Sequence, residues 1–134
     1  MRIPGFILSS CGLLAAMAAP LAAQTFDLSV PPGVNFDTAE FRLWHPEDVR
    51  VLRGVLALVP GSNGDGRSEV EDSTWRELAR KHDLALLGVH MTDKRHPQML
   101  IEDYVDVSKG SGAAFLEAVD RLALAWKTLV GVED

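Results

Sequence analysis

The segment of this chain best suited to chemistry is Pro60-Gly61-Ser62-Asn63-Gly64-Asp65-Gly66-Arg67, which follows the apolar run Val55-Leu56-Ala57-Leu58-Val59 and leads into a helical pattern. A buried strand that opens through a glycine-rich turn into a helix is where α/β proteins build anion or oxyanion sites. Glycines at positions 61, 64 and 66 let the backbone approach a ligand closely and adopt positive φ. Phosphate binding is the weaker reading. Gly61-x-x-Gly64-x-Gly66 has neither the dinucleotide spacing nor a following Gly-Lys-Ser/Thr. A calcium loop from Asn63, Asp65, Glu69, Glu71 and Asp72 fails because Arg67 stands where a ligand should be.

A second group, His90, Asp93, His96, Glu102 and Asp103, offers nitrogen and oxygen ligands near the end of another apolar run, but no pair has metal-ligand spacing. His90, His96 and Tyr104 are read as the rim of a cleft, and no metal or other cofactor is expected. No Gly-x-Ser-x-Gly nucleophile elbow occurs. Its nearest imitation, Lys109-Gly110-Ser111-Gly112-Ala113, lacks the first glycine and follows a polar segment, so Ser111 is read as the N-cap of the last helix. No residue of this chain is assigned as a catalytic nucleophile. Trp75 and Trp126 are read as core anchors; His45 and His82 carry no partner signal.

The elements that must position these residues follow from periodicity. Phe26-Asp27-Leu28-Ser29-Val30 and Glu40-Phe41-Arg42-Leu43-Trp44 alternate around Pro31-Pro32-Gly33, which predicts two exposed antiparallel strands. Val55 to Val59 is a continuous apolar run and the best candidate for a central strand. Asp72 or Ser73 caps a helix with Trp75, Leu78, Ala79 and His82 on its inner face and Arg76, Glu77 and Arg80 outside. Leu84 to Val89 gives a second buried strand, in a strand-helix-strand spacing suited to a parallel crossover. Residues 90 to 112 read as a long connection. Phe115, Leu116, Val119, Leu122, Ala123, Trp126 and Val130 then mark a helix ending near Gly131, with Glu117 and Arg121 paired on its outside.

Met1-Arg2, the apolar stretch from Ile3 to Ala19 and Pro20-Leu21-Ala22-Ala23 read as a signal peptide over residues 1–23, which predicts a secreted or periplasmic protein. Cys11, the one cysteine, lies within that leader and ahead of most of its apolar core, so neither lipidation nor a disulfide in the mature chain is expected. Residues 24–134 then form a single domain, within the ordinary size range. All 19 acidic residues fall beyond the leader, against 13 basic residues of which Arg2 is lost with it. Nucleic acid is excluded as a partner by that balance, and no basic amphipathic stretch would hold the mature chain on a membrane.

The stretch from Phe41 to Gly112 resembles the N-terminal part of secreted α/β-hydrolase esterases, the polyhydroxybutyrate depolymerase-like and feruloyl esterase-like group. The residues that carry it are Arg53 through Arg67, Trp75 with Leu84 to Val89, Ile101-Glu102-Asp103-Tyr104 and Ser108-Lys109-Gly110-Ser111-Gly112. The resemblance implies the N-terminal portion of an α/β-hydrolase fold: a β-hairpin, a strand-helix-strand unit and a C-terminal helix. It implies that the backbone N–H groups of Ser62 and Asn63 serve an oxyanion hole, with Gly61, Gly64 and Gly66 shaping the loop. It also implies a small ester as substrate of the full-length protein. The family's nucleophile, acid and histidine come later than any residue here, so the expectation is an exported esterase-like fragment, inactive alone. The alternative is a small non-catalytic exported binding domain using the glycine-rich loop. In the hydrolase order the strand at Val55 lacks its later neighbour, which predicts marginal stability or self-association through an exposed sheet edge.

Overall fold

A computed structural model describes residues 25–97 and 102–131. The expected signal peptide, Cys11 and Ile101 lie outside the described residues. The fold of the described residues is α/β: one four-stranded mixed sheet of β1 (Thr25–Ser29), β2 (Thr38–Trp44), β3 (Gly54–Leu58) and β4 (Leu84–Thr92) in the order β1-β2-β4-β3, with a helix against each face.

β1 (Thr25–Ser29) and β2 (Thr38–Trp44) form the antiparallel hairpin read from their alternation, with Phe26 opposite Leu43 and Leu28 opposite Phe41. Arg42 and Asp27 face each other across it in a two-pronged ion pair, Nε–Oδ1 2.7 Å and Nη2–Oδ2 2.8 Å. Only β1 is exposed as expected. β2 is largely buried because β4 (Leu84–Thr92) pairs with its other edge, aligning Phe41 with Val89 and Leu43 with Leu87.

β3 (Gly54–Leu58) pairs parallel with β4, and α1 (Ser73–Lys81) joins them. The central position belongs to β4, contrary to the expectation for Val55–Val59. Five consecutive residues of β4, Ala85 to Val89, are buried, while β3 has one paired edge among the described residues and leaves Val55 and Val59 exposed. The difference is one of strand order, which an apolar run cannot encode.

The pleat divides the sheet into two cores. Phe41, Leu43, Ala85, Leu87, Val89 and Met91 face α2 (Ser111–Val130), whose buried contacts are Ala114, Ala118 and Leu122. Alanines at four-residue spacing let this helix sit close to the sheet, and Phe115 meets Phe41 edge-on at 6.0 Å. Leu116, expected on the inner stripe, is exposed. The helix ends as expected at Gly131, which adopts φ 68°, and the expected Arg121–Glu117 pair forms at 3.1 Å.

Trp44, Leu58, Val70, Ala79 and Leu86 make the second core beneath α1. Asp72 caps this helix, accepting from the N–H groups of Thr74 and Trp75. The expected faces of α1 are met only in part: Ala79 is buried and Glu77 exposed as expected, but the other apolar positions and the arginines are placed differently. Arg76 and Arg80 lie over the Trp44 ring at 4.9 and 5.1 Å, whereas Trp75 is 37% exposed and Leu78 39%. The guanidinium groups offer Trp44 both stem and charge, while the Trp75 flank overhangs the open edge of β3. Trp75 is therefore not the expected core anchor. Among the described residues no helix is long and apolar enough to cross a membrane.

Candidate functional site

The glycine-rich loop leaves the C-terminal end of β3 and is laid back onto the central strand. Gly66 N–H donates to the Val89 carbonyl at 2.9 Å, Asp65 bridges to His90, and Gly64 N–H closes a turn on the Gly61 carbonyl. The three glycines are not equivalent. A Cβ on Gly66 would lie 2.6 Å from the Leu58 carbonyl oxygen and one on Gly64 2.9 Å from that of Gly61, but Gly61 faces open space. The positive φ expected of a glycine here belongs to Asn63, at 51°. Its amide side chain supplies the local hydrogen bonding that makes this conformation accessible.

Asn63 joins a closed ring of hydrogen bonds. Its Oδ1 accepts from the Asp93 N–H at 2.7 Å, the Asp93 Oδ1 accepts from the Tyr104 N–H at 3.0 Å, and the Asn63 N–H donates to the Tyr104 hydroxyl at 3.2 Å. Of the two proposed oxyanion donors, the one at Asn63 is thus already directed at an oxygen; Ser62 is exposed beside it, its hydroxyl accepting from Asn63 Nδ2. Asp93 organises the ring, a role its sequence context did not signal. Its other oxygen lies 3.5 Å from Nε2 of His96, so His96 and Tyr104 share one carboxylate.

His90 belongs to a different cluster. Its Nδ1 is 3.2 Å from Glu40 Oε2 and 3.8 Å from Asp65 Oδ2, and Arg67 reaches both carboxylates, Nη1 to Glu40 at 2.8 Å and Nη2 to Asp65 at 2.6 Å. The three expected rim residues are therefore divided, His96 and Tyr104 on Asp93 and His90 on Glu40. Among the described residues no group of three or more potential ligands is placed to hold a metal ion. The acidic residues considered for calcium have other tasks: Asp65 pairs with Arg67, Glu71 with Arg76, and Asp72 caps α1.

The Arg67 hydrogen bonds hold the Asp65 carboxyl well below the usual carboxylate range against an opposing desolvation, and Arg42 does the same to Asp27. A lowered folded-state pKa stabilises the fold above the unfolded pKa and loses that contribution as pH falls through the folded one. The urea midpoint is therefore expected to hold from neutrality to about pH 5 and to fall below about pH 4, the ordinary carboxylate range. Both groups are more than a third exposed, so each effect is small. Asp65→Asn flattens the acid limb; an unchanged limb contradicts the assignment.

Ser111 is the first residue of α2 rather than its N-cap, which is Gly110 at φ 130°. Its N–H donates to Asn35 Oδ1 at 3.0 Å, and Asn35 Nδ2 reaches its hydroxyl at 3.2 Å and the carbonyls of Asp103 and Asp106 at 2.8 and 3.0 Å. Ser111 is 2% exposed. That surrounding is structural, and Asn35 replaces a local cap from 76 residues away. His45, without a sequence signal, is fully buried, stacked on Phe26 and edge-on to Trp126, with Nδ1 2.9 Å from the Pro46 carbonyl.

Beside the loop lies an apolar hollow of about 240 Å³, lined by Val59, Pro60, Met91, Tyr104, Val107 and Phe115 among others. Compared with known protein families, curated proteins and solved structures, the chain gives no significant match in any of the three.

Proposed function

We propose that this chain is the N-terminal part of an exported carboxylic-ester hydrolase-like protein, carrying the oxyanion loop and no catalytic nucleophile. The observation that carries the reading is the loop itself: it sits at the C-terminal end of a parallel strand and ends on the Asn63 N–H, whose present partner is the Tyr104 hydroxyl at 3.2 Å, an oxygen that an ester carbonyl would displace. A backbone N–H so placed is the kind of donor that stabilises charge on a carbonyl oxygen. The adjoining hollow lies just below the usual range for small-molecule sites, a size suited to a short acyl or aryl group. Ser111, buried and hydrogen-bonded to Asn35, has no histidine among its hydrogen-bond partners. The exported location rests on the leader-like residues 1–23.

The test is titration of the chain with a short-chain aryl ester, followed through the Ser62 and Asn63 amide resonances together with hydrolysis by the parent chain, Ser111→Ala and a heat-denatured control. Shifts centred on those amides with turnover no greater than the control are expected. Serine-dependent turnover overturns the absence of a nucleophile, and shifts confined to other regions overturn the oxyanion role. The second reading, a non-catalytic binding domain, is favoured by the apolar hollow and predicts shifts at Met91, Tyr104 and Phe115 with none at Ser62 and Asn63.

A further inference from the structure

We propose that the edge of β3 left unpaired among the described residues pairs antiparallel with the same edge of a second copy of this chain, about a two-fold axis near Leu56 and perpendicular to the sheet. The proposal uses only this edge and the helix beside it and needs no ester chemistry; it concerns residues 1–134 alone, since a later strand of the kind the hydrolase reading supplies would take the same edge.

Edge strands in soluble proteins are normally guarded by charges, proline or bulges. β3 has none of these: its sequence is Gly-Val-Leu-Ala-Leu, and its register with β4 is regular over all five residues. Both faces beside the edge are apolar and open, Val55 and Val59 on the α2 side, Trp75 and Leu78 on the α1 side. Trp75 and Glu69 line a hollow with Ala57 to Pro60, which places this flank of α1 over the C-terminal half of the edge.

A two-fold axis perpendicular to a sheet keeps each face on its own side, so the two α1 helices meet across the seam. α1 returns from the C-terminal end of β3 to the N-terminal end of β4, antiparallel to both strands. The two copies of α1 therefore run in opposite directions, and Leu78, near the middle, faces its own counterpart. The seam is complementary in charge. Glu69 stands at the end where α1 begins, and Lys81, three residues beyond Leu78 on the same ridge, lies in its last turn, so each acidic end meets the basic end of the other copy; Arg80 takes no part, being turned to Trp44 on the other flank. The helix dipoles are opposed in the same sense. A surface acidic at one end, basic at the other and apolar between is self-complementary under a two-fold, as an isologous interface requires. This favours a second copy over an unrelated strand.

Sedimentation velocity of the full chain over a wide concentration range tests the proposal. A reversible dimer is expected, with slowed amide exchange at Val55 and Leu56 as it forms. Leu78→Lys, at a position partly exposed in the protomer, raises the dissociation constant about tenfold or more. Glu69→Lys and Lys81→Glu each weaken the dimer, and the double exchange restores it. The last result is specific to the antiparallel arrangement and decides the matter even where Leu78→Lys fails to fold. A monomer at every concentration, association indifferent to Leu78→Lys in a folded variant, or a double exchange without recovery overturns the proposal.

Discussion

Gly88→Ala is expected to lower the thermal midpoint by on the order of 10 °C, following from about 2–3 kcal/mol of overpacking in a domain of this size. A Cβ on Gly88 would sit 2.5 Å from the Gly66 carbonyl oxygen and 2.6 Å from the Arg67 Cα. Both are backbone atoms and cannot rotate away. Gly88 lies on the central strand, where the glycine-rich loop crosses the sheet, so either the loop lifts or β4 bends. Lifting the loop breaks the Gly66–Val89 hydrogen bond and the Asp65–His90 bridge, and carries Arg67 away from Glu40. The Asn63 and Tyr104 resonances should move with it. Gly61→Ala is the matched control: its Cβ would meet nothing within 4 Å, and its stability should remain within about 0.5 kcal/mol of the parent. Equal losses from both substitutions would show that the close contact at Gly88 is not what anchors the loop.

Asn35→Ala is expected to cost about 2–4 kcal/mol, the larger part from groups left unsatisfied. Asn35 is 5% exposed and accepts from the Ser111 N–H while donating to the carbonyls of Asp103 and Asp106. Without it, the first turn of α2 loses a cap and two carbonyls of the connection lose a donor. Urea unfolding measures the loss. Amide exchange locates it: rates should rise at Ser111 and through residues 103–109 before they rise in β4. Asn35→Asp keeps an acceptor for Ser111 but presents oxygen to both carbonyls, so it should not restore the parent value. A variant as stable as the parent would mean that water replaces the amide at no cost, and that the connection is held from elsewhere.

The sequence by itself determined whatever depends on near neighbours. The alternation from Phe26 and from Glu40 marked the hairpin, Asp72 marked the start of α1, and Gly131 marked the end of α2, because a pleat, a cap and a left-handed stop are each set within a few residues. The glycine-rich turn was legible for the same reason, as was its place after a strand. What only the tertiary structure decided involves partners far apart in the chain. Whether β3 or β4 is central depends on pairing order, and the run Val55 to Val59 looks the same in either place. Which flank of α1 faces inward depended on Trp44, whose ring accepts the two arginines and leaves Trp75 at the rim. Gly66 and Gly88 are required because two backbones cross, and periodicity does not record a crossing. Asn63 and Asn35 hold this region through side-chain contacts to main chain 30 and 76 residues away, so their chemistry was visible in the sequence while their partners were not.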